Sequence, residues 1–391
     1  MGMMMSKENP LIYMIVGESS GDLLASRFMK SFIKTTDGKA KFTGLGGESM
    51  SELGFKSLFD ISELAIMGLV EVLPKIPALI KRINQVVNDI KEKKPDIILS
   101  VDSWSFAARV LKKVKKEKLD IPCIHYVAPQ VWAWKAGRAK TMYKYIDHLL
   151  CLLPQEPQYF TKHNLKADFV GHPVIEGGAG LGKHEDFMLK NNLKNDDLII
   201  TILPGSRKNE VKYLLPVFEQ TIDILKAKYP NLKVILPLVK TVKSKVLRAI
   251  QSWNVKVITT EGEGERYDAF ASSKIALAAS GTVSLELSKA KVPHIIAYKV
   301  SPLTAFLAKR LIKIKFVNLI NILANKEIIP EMLQENAKPV LLAQKLDEMI
   351  KNKSIREMQI SESSEVLNNK LKNGDTLPSD LASKIVLSYL K

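Results

Sequence analysis

The chain reads as an α/β protein of two units, each a parallel sheet covered by helices on both faces. Two observations predict this. Short apolar runs alternate with segments of helical periodicity, and the alternation begins afresh after a glycine-rich stretch at 177–182. Strands that are apolar throughout, with no polar residue at alternate positions, are those buried on both faces, as in a parallel sheet between helical layers.

The first run, 11–16, ends in Gly17-Glu18-Ser19-Ser20-Gly21-Asp22, after which Leu23, Leu24, Phe28, Met29 and Phe32 recur at helical spacing. That is a strand, a glycine turn and a helix. The run 97–101 leads into Asp102 and a helix over 107–118, 123–127 into a helix near 135–145, and 148–152 into one at 155–163. Beyond the glycines come strands at 198–203, 234–238, 255–258, 275–278 and 294–297, each followed by helical periodicity. From about Pro339 the pattern is helical only, with a polar break at 372–378. Gly, Pro and polar residues near 171–185 mark the boundary between units. The expected domains are 1–172, 173–368 and a terminal helix in 369–391 able to pack back on the first domain.

Composition sets the outer bounds. A length of 391 residues suffices for two or three domains with their own cores, and 46% hydrophobic with 25% charged residues excludes collagen-like, low-complexity and disordered classes. Lys and Arg number 58 against 41 Asp and Glu, a formal charge of +17 that asks for an anionic partner. Nucleic acid fits poorly, because Trp104, Trp132 and Trp134 lie in apolar context, not interleaved with Lys and Arg as a stacking surface requires. Cys123 and Cys151 sit inside apolar runs, which fits buried thiols in a reducing, cytoplasmic compartment. No stretch reaches the roughly 18 to 20 continuous apolar residues that span a bilayer.

Open parallel sheets bind ligands at the carboxyl ends of their strands, so those ends carry the chemistry. Gly17 to Asp22 places glycines where a backbone must approach closely, with Glu18 and Asp22 beside a helix start; a capped turn is the plainer alternative. At 203–210, Gly205, Ser206, Arg207 and Lys208 offer amides, a hydroxyl and cations suited to a diphosphate, the alternative being an Arg207–Glu210 pair. At 279–286, the small residues Ser280, Gly281 and Thr282 admit a phosphate or ribose, and Glu286 could accept two vicinal ribose hydroxyls; simple capping is the alternative. Asp102, a lone carboxylate after an apolar strand, suits a general base or a helix cap. His125 and His172 flank strand ends and read as structural. No Asp-x-Asp pair ends a predicted strand and no His/Cys spacing suggests a metal, so neither metal nor cofactor is expected.

The runs 17–22, 67–73, 125–134 (with its Val-Trp-Ala-Trp segment), 203–210, 280–286 and 307–311, in that order, resemble the lipid-A-disaccharide synthase family over about residues 11–335. The resemblance implies a GT-B fold: two Rossmann-like doubly wound domains facing a central cleft, with a helical carboxy-terminal tail. It implies inverting transfer from UDP-2,3-diacylglucosamine to 2,3-diacylglucosamine 1-phosphate, giving a β-1,6-linked lipid A precursor and UDP. By matching motif, Asp102 resembles the family's candidate base, Arg207 its essential cation and Glu18 a cleft carboxylate, while Glu286, Asn321 and Gln334 line the donor side. Two departures stand out. Ser105 takes the place of a second Asp, leaving Asp102 as the only acid of its motif, and Ile320 replaces a Pro, which bears on the loop shape near Asn321.

Acylated substrates imply a protein peripheral on the inner face of the inner membrane, and the family allows a homodimer. The apolar residues Ile66, Met67, Leu69, Val70, Val72 and Leu73 offer an acyl or membrane surface, or an ordinary core helix. The basic clusters Lys112, Lys113, Lys115, Lys116 and Lys309, Arg310, Lys313, Lys315 could meet anionic headgroups or simply face water. The rival enzyme is a UDP-sugar epimerase or hydrolase on the same scaffold, which needs no apolar acceptor groove.

Overall fold

The structure, a computed structural model, describes residues 9–64, 76–132, 136–301 and 315–390. The chain folds as two compact units, one of Met1–Pro173 with Leu371–Lys391, the other of Val174–Lys370.

The first unit runs β1 (Leu11–Val16), α1 (Ser19–Thr35), β2 (Lys41–Leu45), α2 (Glu48–Ser51), α3 (Ile76–Lys93), β3 (Ile97–Val101), α4 (Trp104–Lys116), β4 (Cys123–Tyr126), α5 (Ala139–Met142), β5 (His148–Cys151), α6 (Gln158–Thr161) and β6 (Lys166–Phe169). Its strands pair in the order β2-β1-β3-β4-β5-β6, every pair parallel. Residues 12–16 are all buried, and they alternate between faces. Tyr13 and Ile15 share a core with Val86 and Ile90 of α3 and Val110 of α4, while Ile12, Met14 and Val16 share one with Leu24, Phe28 and Phe32 of α1. Burial on both faces is why this strand is apolar throughout; its one polar atom, the Tyr13 hydroxyl, donates to Asp89 Oδ2 at 2.8 Å. Cys123 and Cys151 are buried free thiols in this unit.

The second unit runs α7 (His184–Lys190), β7 (Leu198–Leu203), α8 (Lys208–Lys228), β8 (Leu232–Pro237), α9 (Lys243–Ala249), β9 (Val257–Thr260), α10 (Gly262–Ala271), β10 (Ile275–Ala279), α11 (Val283–Lys289), β11 (His294–Tyr298), α12 (Leu319–Ala324), β12 (Glu331–Leu333), α13 (Pro339–Lys351) and α14 (Lys353–Lys370). Its sheet has the order β9-β8-β7-β10-β11-β12, again all parallel. A last helix, α15 (Pro378–Leu387), returns to the first unit. There Ala382 and Val386 join the core of Leu24 and Phe28, and Ser31 Oγ donates to Asp380 Oδ1 at 2.6 Å.

The sequence expectations miss β2, β6 and β12, and place β9 two residues early. All are edge strands. The helix expected at 135–145 is a 3-10 turn, Ala136–Arg138, followed by the single turn of α5, and 155–163 holds only α6. No helix among the described residues is long and apolar enough to cross a membrane. Ile66, Met67, Leu69, Val70, Val72 and Leu73 lie outside the described residues, as do Trp134, Lys309, Arg310 and Lys313.

Candidate active site

In a doubly wound sheet the loops on either side of the point where strand order reverses diverge to opposite faces, and the crevice between them binds ligands. That point falls between β1 and β3 in the first unit and between β7 and β10 in the second. Glu18, Asp102, Gly205 to Arg207 and Ser280 to Thr282 all follow these strands.

In the first unit, Asp102 and Ser103 follow β3 with φ of +56° and +39°. Such left-handed conformations cost a non-glycine residue on the order of 1–3 kcal/mol and persist where the surroundings over-determine them. Asp102 Oδ1 accepts the Ser103 amide at 2.8 Å and Oδ2 accepts the Ser20 hydroxyl at 2.7 Å. Its own amide donates to Tyr126 O at 2.9 Å. Ser103 occupies the N-cap position of α4, and Asp102 precedes it, holding its amide. The carboxylate is held across the switch point by the first turn of α1. Glycine makes this approach possible: a Cβ at Gly17 would lie 2.9 Å from Ser103 Oγ, and one at Gly21 3.0 Å from Val101 O.

Glu18 is exposed at the N-cap position of α1. Asp22 does not cap its own helix. It is buried, accepts the amides of Gly47, Ser49 and Met50 at 2.7, 2.8 and 3.3 Å, and so caps α2. Burial pushes His125 down to about 3 and His172 to about 4, leaving both neutral near pH 7; His125 Nδ1 meets Ser100 Oγ at 2.8 Å. Both are buried.

Two residues of this sheet edge escaped the sequence analysis. Val127 follows β4 at φ +87°, an outlier for a β-branched residue. Glu156, beyond β5, is 2% exposed and accepts the Leu152 and Leu153 amides at 3.1 and 3.0 Å and Trp132 Nε1 at 3.4 Å. Burial pushes its carboxyl up to about 7 against those hydrogen bonds. Its signal was present: a lone carboxylate after an apolar run, as at Asp102.

In the second unit, Gly205 follows β7 at φ +105°, and a Cβ there would lie 2.4 Å from Glu210 Oε2, so only glycine fits. Glu210 Oε2 accepts the Ser206 and Arg207 amides at 3.0 and 3.2 Å, and Oε1 lies 3.1 Å from Arg207 Nη1. The Arg207–Glu210 pair is therefore present, and two amides expected to serve a diphosphate are engaged by Glu210 instead. The loop still presents the Arg207 side chain, 59% exposed, the exposed Ser206, and the first-turn amides of Lys208 and Asn209, which have no intrahelical acceptor.

After β10, Ser280 is half-buried while Gly281 and Thr282 are exposed, and a Cβ at Gly281 would meet nothing within 4 Å. Thr282 is the N-cap of α11 without a side-chain cap bond. Glu286 Oε1 lies 3.2 Å from Nη2 of Arg266, a third residue the sequence analysis missed. Asn321 is corrected: fully buried, it donates from Nδ2 to Ile329 O and Glu331 Oε1 at 2.7 and 2.8 Å, and its Oδ1 accepts the Ile328 and Ile329 amides, each at 2.8 Å. It shapes its loop and offers no side-chain atom to a ligand. Gln334, at φ +48°, accepts the Val300 amide at 3.4 Å. Among the described residues no group of His, Cys, Asp or Glu is arranged to hold a metal ion.

Two doubly wound parallel units in one chain are the architecture of the GT-B fold class. UDP-GlcNAc 2-epimerase from Neisseria meningitidis bound to UDP-GlcNAc superposes with a TM-score of 0.64 at 13% identity, covering 97% of this chain and 99% of that one. A glycosyltransferase from Rickettsia africae does so at 0.60 and 12%, covering 98% and 99%. These likenesses show the fold alone. The family model for lipid-A-disaccharide synthetase matches residues 12–386. Lipid-A-disaccharide synthase of Rhodospirillum centenum is 44% identical over 97% of this chain and 94% of its own length. That of Rickettsia typhi is 39% identical over 96% and 98%. The chain belongs to the lipid-A-disaccharide synthase family and is a glycosyltransferase that forms the lipid A disaccharide.

Proposed function

We propose that the chain transfers a 2,3-diacylglucosaminyl group from UDP-2,3-diacylglucosamine to the 6-hydroxyl of 2,3-diacylglucosamine 1-phosphate, with inversion and release of UDP. The acceptor oxygen bonds to the anomeric carbon as the bond to the UDP diphosphate breaks. Asp102 takes the hydroxyl proton, and Arg207 neutralises charge on the departing diphosphate. Ser280 to Thr282 admit the phosphates and Glu286 the ribose hydroxyls, while Glu18 is an exposed carboxylate beside the base. Gln334 and Asn321 set the loops of the donor side, Asn321 through its buried amide. Protein cations serve the leaving group without a metal. The enzyme works as a peripheral protein on the cytoplasmic face of the inner membrane.

The observation that carries this reading is the division of chemistry between switch points: a carboxylate held in strained backbone in one unit, an exposed arginine beside helix-start amides in the other. The test is UDP release measured with and without the lipid monosaccharide phosphate. Release that requires the acceptor supports transfer, and equal release without it overturns transfer in favour of hydrolysis.

A further inference from the structure

Helices α10 and α11 meet through one cation. Arg266 Nη2 lies 3.2 Å from Glu286 Oε1 and 3.2 Å from Glu263 Oε1, and Tyr267 Oη donates to Glu263 Oε1 at 3.0 Å. The guanidinium also lies over the Tyr267 ring, 5.2 Å from its centroid. The side chains of Arg266 and Glu286 are only 25% and 22% exposed, and Arg266 Nε is buried without a hydrogen-bond partner. Burial opposes the arginine's charge, and the neighbouring carboxylates with Tyr267 outweigh it. A pair this sheltered holds its geometry better than an exposed one, where water competes for both partners.

The base of this arrangement is rigid. A Cβ at Gly182 would lie 2.0 Å from Tyr267 O, so the glycine-rich connector packs directly on the backbone of α10. Lys183 N donates to Asp268 Oδ1 at 2.7 Å, and Lys289 Nζ ties the end of α11 to Gly177 O at 2.7 Å. The segment that reads in the sequence as the boundary between units packs on both helices.

We propose that Arg266 is a positioning residue of the donor site, holding the Glu286 carboxylate in the orientation that receives the two ribose hydroxyls of the nucleoside diphosphate. The proposal rests on the donor-site reading above. Each carboxylate oxygen has two lone-pair directions, so an oxygen bonded to the guanidinium still accepts a hydroxyl. A vicinal diol asks for two acceptors at a fixed angle, which a swinging carboxylate does not supply.

The test is calorimetric binding of UDP and of 2′,3′-dideoxy-UDP to the wild type, Arg266→Gln, Arg266→Lys, Glu263→Gln and Glu286→Gln. The wild type should prefer UDP by about tenfold or more, the worth of hydrogen bonds to a charged group. Arg266→Gln should erase most of that preference by weakening UDP alone, with the dideoxy ligand changed less than about twofold. Arg266→Lys, which keeps the charge but replaces the planar guanidinium stacked on Tyr267 by a mobile ammonium, should lose at least about half of the preference on a logarithmic scale, and it stands in if Arg266→Gln does not fold. Glu263→Gln should keep the preference. Equal weakening of both ligands, or of neither, overturns the positioning role and leaves Arg266 a tie between helices. A wild type that does not distinguish the ligands, with Glu286→Gln unchanged, overturns instead the assignment of the ribose to Glu286.

Discussion

In the first unit the start of α1 and the loop after β3, which follow the two switch-point strands, are fastened to each other, whereas in the second the loop after β7 is fastened to the helix that follows it and α11 to α10. Ser20 bonds Asp102, and Gly17 and Gly21 let the turn after β1 and the start of α1 lie against Ser103 and Val101. In the second unit Glu210 of α8 grips the amides after β7, and Glu286 of α11 reaches Arg266 of α10. The backbones differ in the same sense. Asp102, Ser103 and Val127 hold positive φ without being glycine, while the turns after β7 and β9 use Gly205 and Gly262, with Gln334 the strained position after β12. The difference suits the roles proposed for each side. A base must hold one carboxylate in one place, and strain enforced by surrounding contacts does that. A diphosphate needs positive charge and exposed amides, which an open loop supplies.

The largest test of this contrast is Asp102→Asn. Asparagine keeps one acceptor oxygen for the Ser103 amide, and its amide nitrogen can donate to the Ser20 hydroxyl, which turns to accept, so UDP affinity and melting temperature should hold while the transfer rate falls by a factor on the order of 10² to 10⁴. A stable, active variant removes Asp102 from the chemistry. On the other side, Arg207→Ala should lower turnover at least about a hundredfold, since one electrostatic donor to a developing charge is worth roughly 3 kcal/mol. The side chain is 59% exposed, so the fold should survive; a near-normal rate in the folded variant breaks the diphosphate assignment.

The smallest expected effect concerns Glu156, a buried carboxylate of the first unit. Its folded pKa is raised from 4.5 to about 7, so its contribution to stability is full below about pH 4.5 and is lost as pH rises through about 7. The loss amounts to at most about 3 kcal/mol at 1.36 kcal/mol per unit. Between pH 4.5 and 8 the melting temperature of the wild type should therefore fall relative to that of Glu156→Gln. Parallel curves would show that the group is not held in a low-dielectric site.

The interior strands were legible because burial on both faces demands an apolar residue at nearly every position. Edge strands carry no such demand: β6 alternates exposed and buried residues, and the first residue of β2 is exposed. That is why β2, β6 and β12 escaped notice and β9 was misplaced. Asp102 and Arg207 stood out as candidates because a charge close behind an apolar run marks a strand end, and Glu286 because it lies one turn into the helix that follows one.

The sequence by itself determined the class, the parallel interiors of both sheets and the places along the chain where chemistry is concentrated. Only the tertiary structure decided what each carboxylate holds: Asp22 the start of α2, Asp102 the Ser20 hydroxyl, Glu156 the Trp132 indole, Glu210 the loop after β7, and Glu286 the Arg266 guanidinium. In the sequence these are alike, acidic residues near strand ends. Hydrogen bonds act over about 3 Å, and except for Glu210 the partner lies a score or more of residues away, so no local pattern records which one the fold brings into reach.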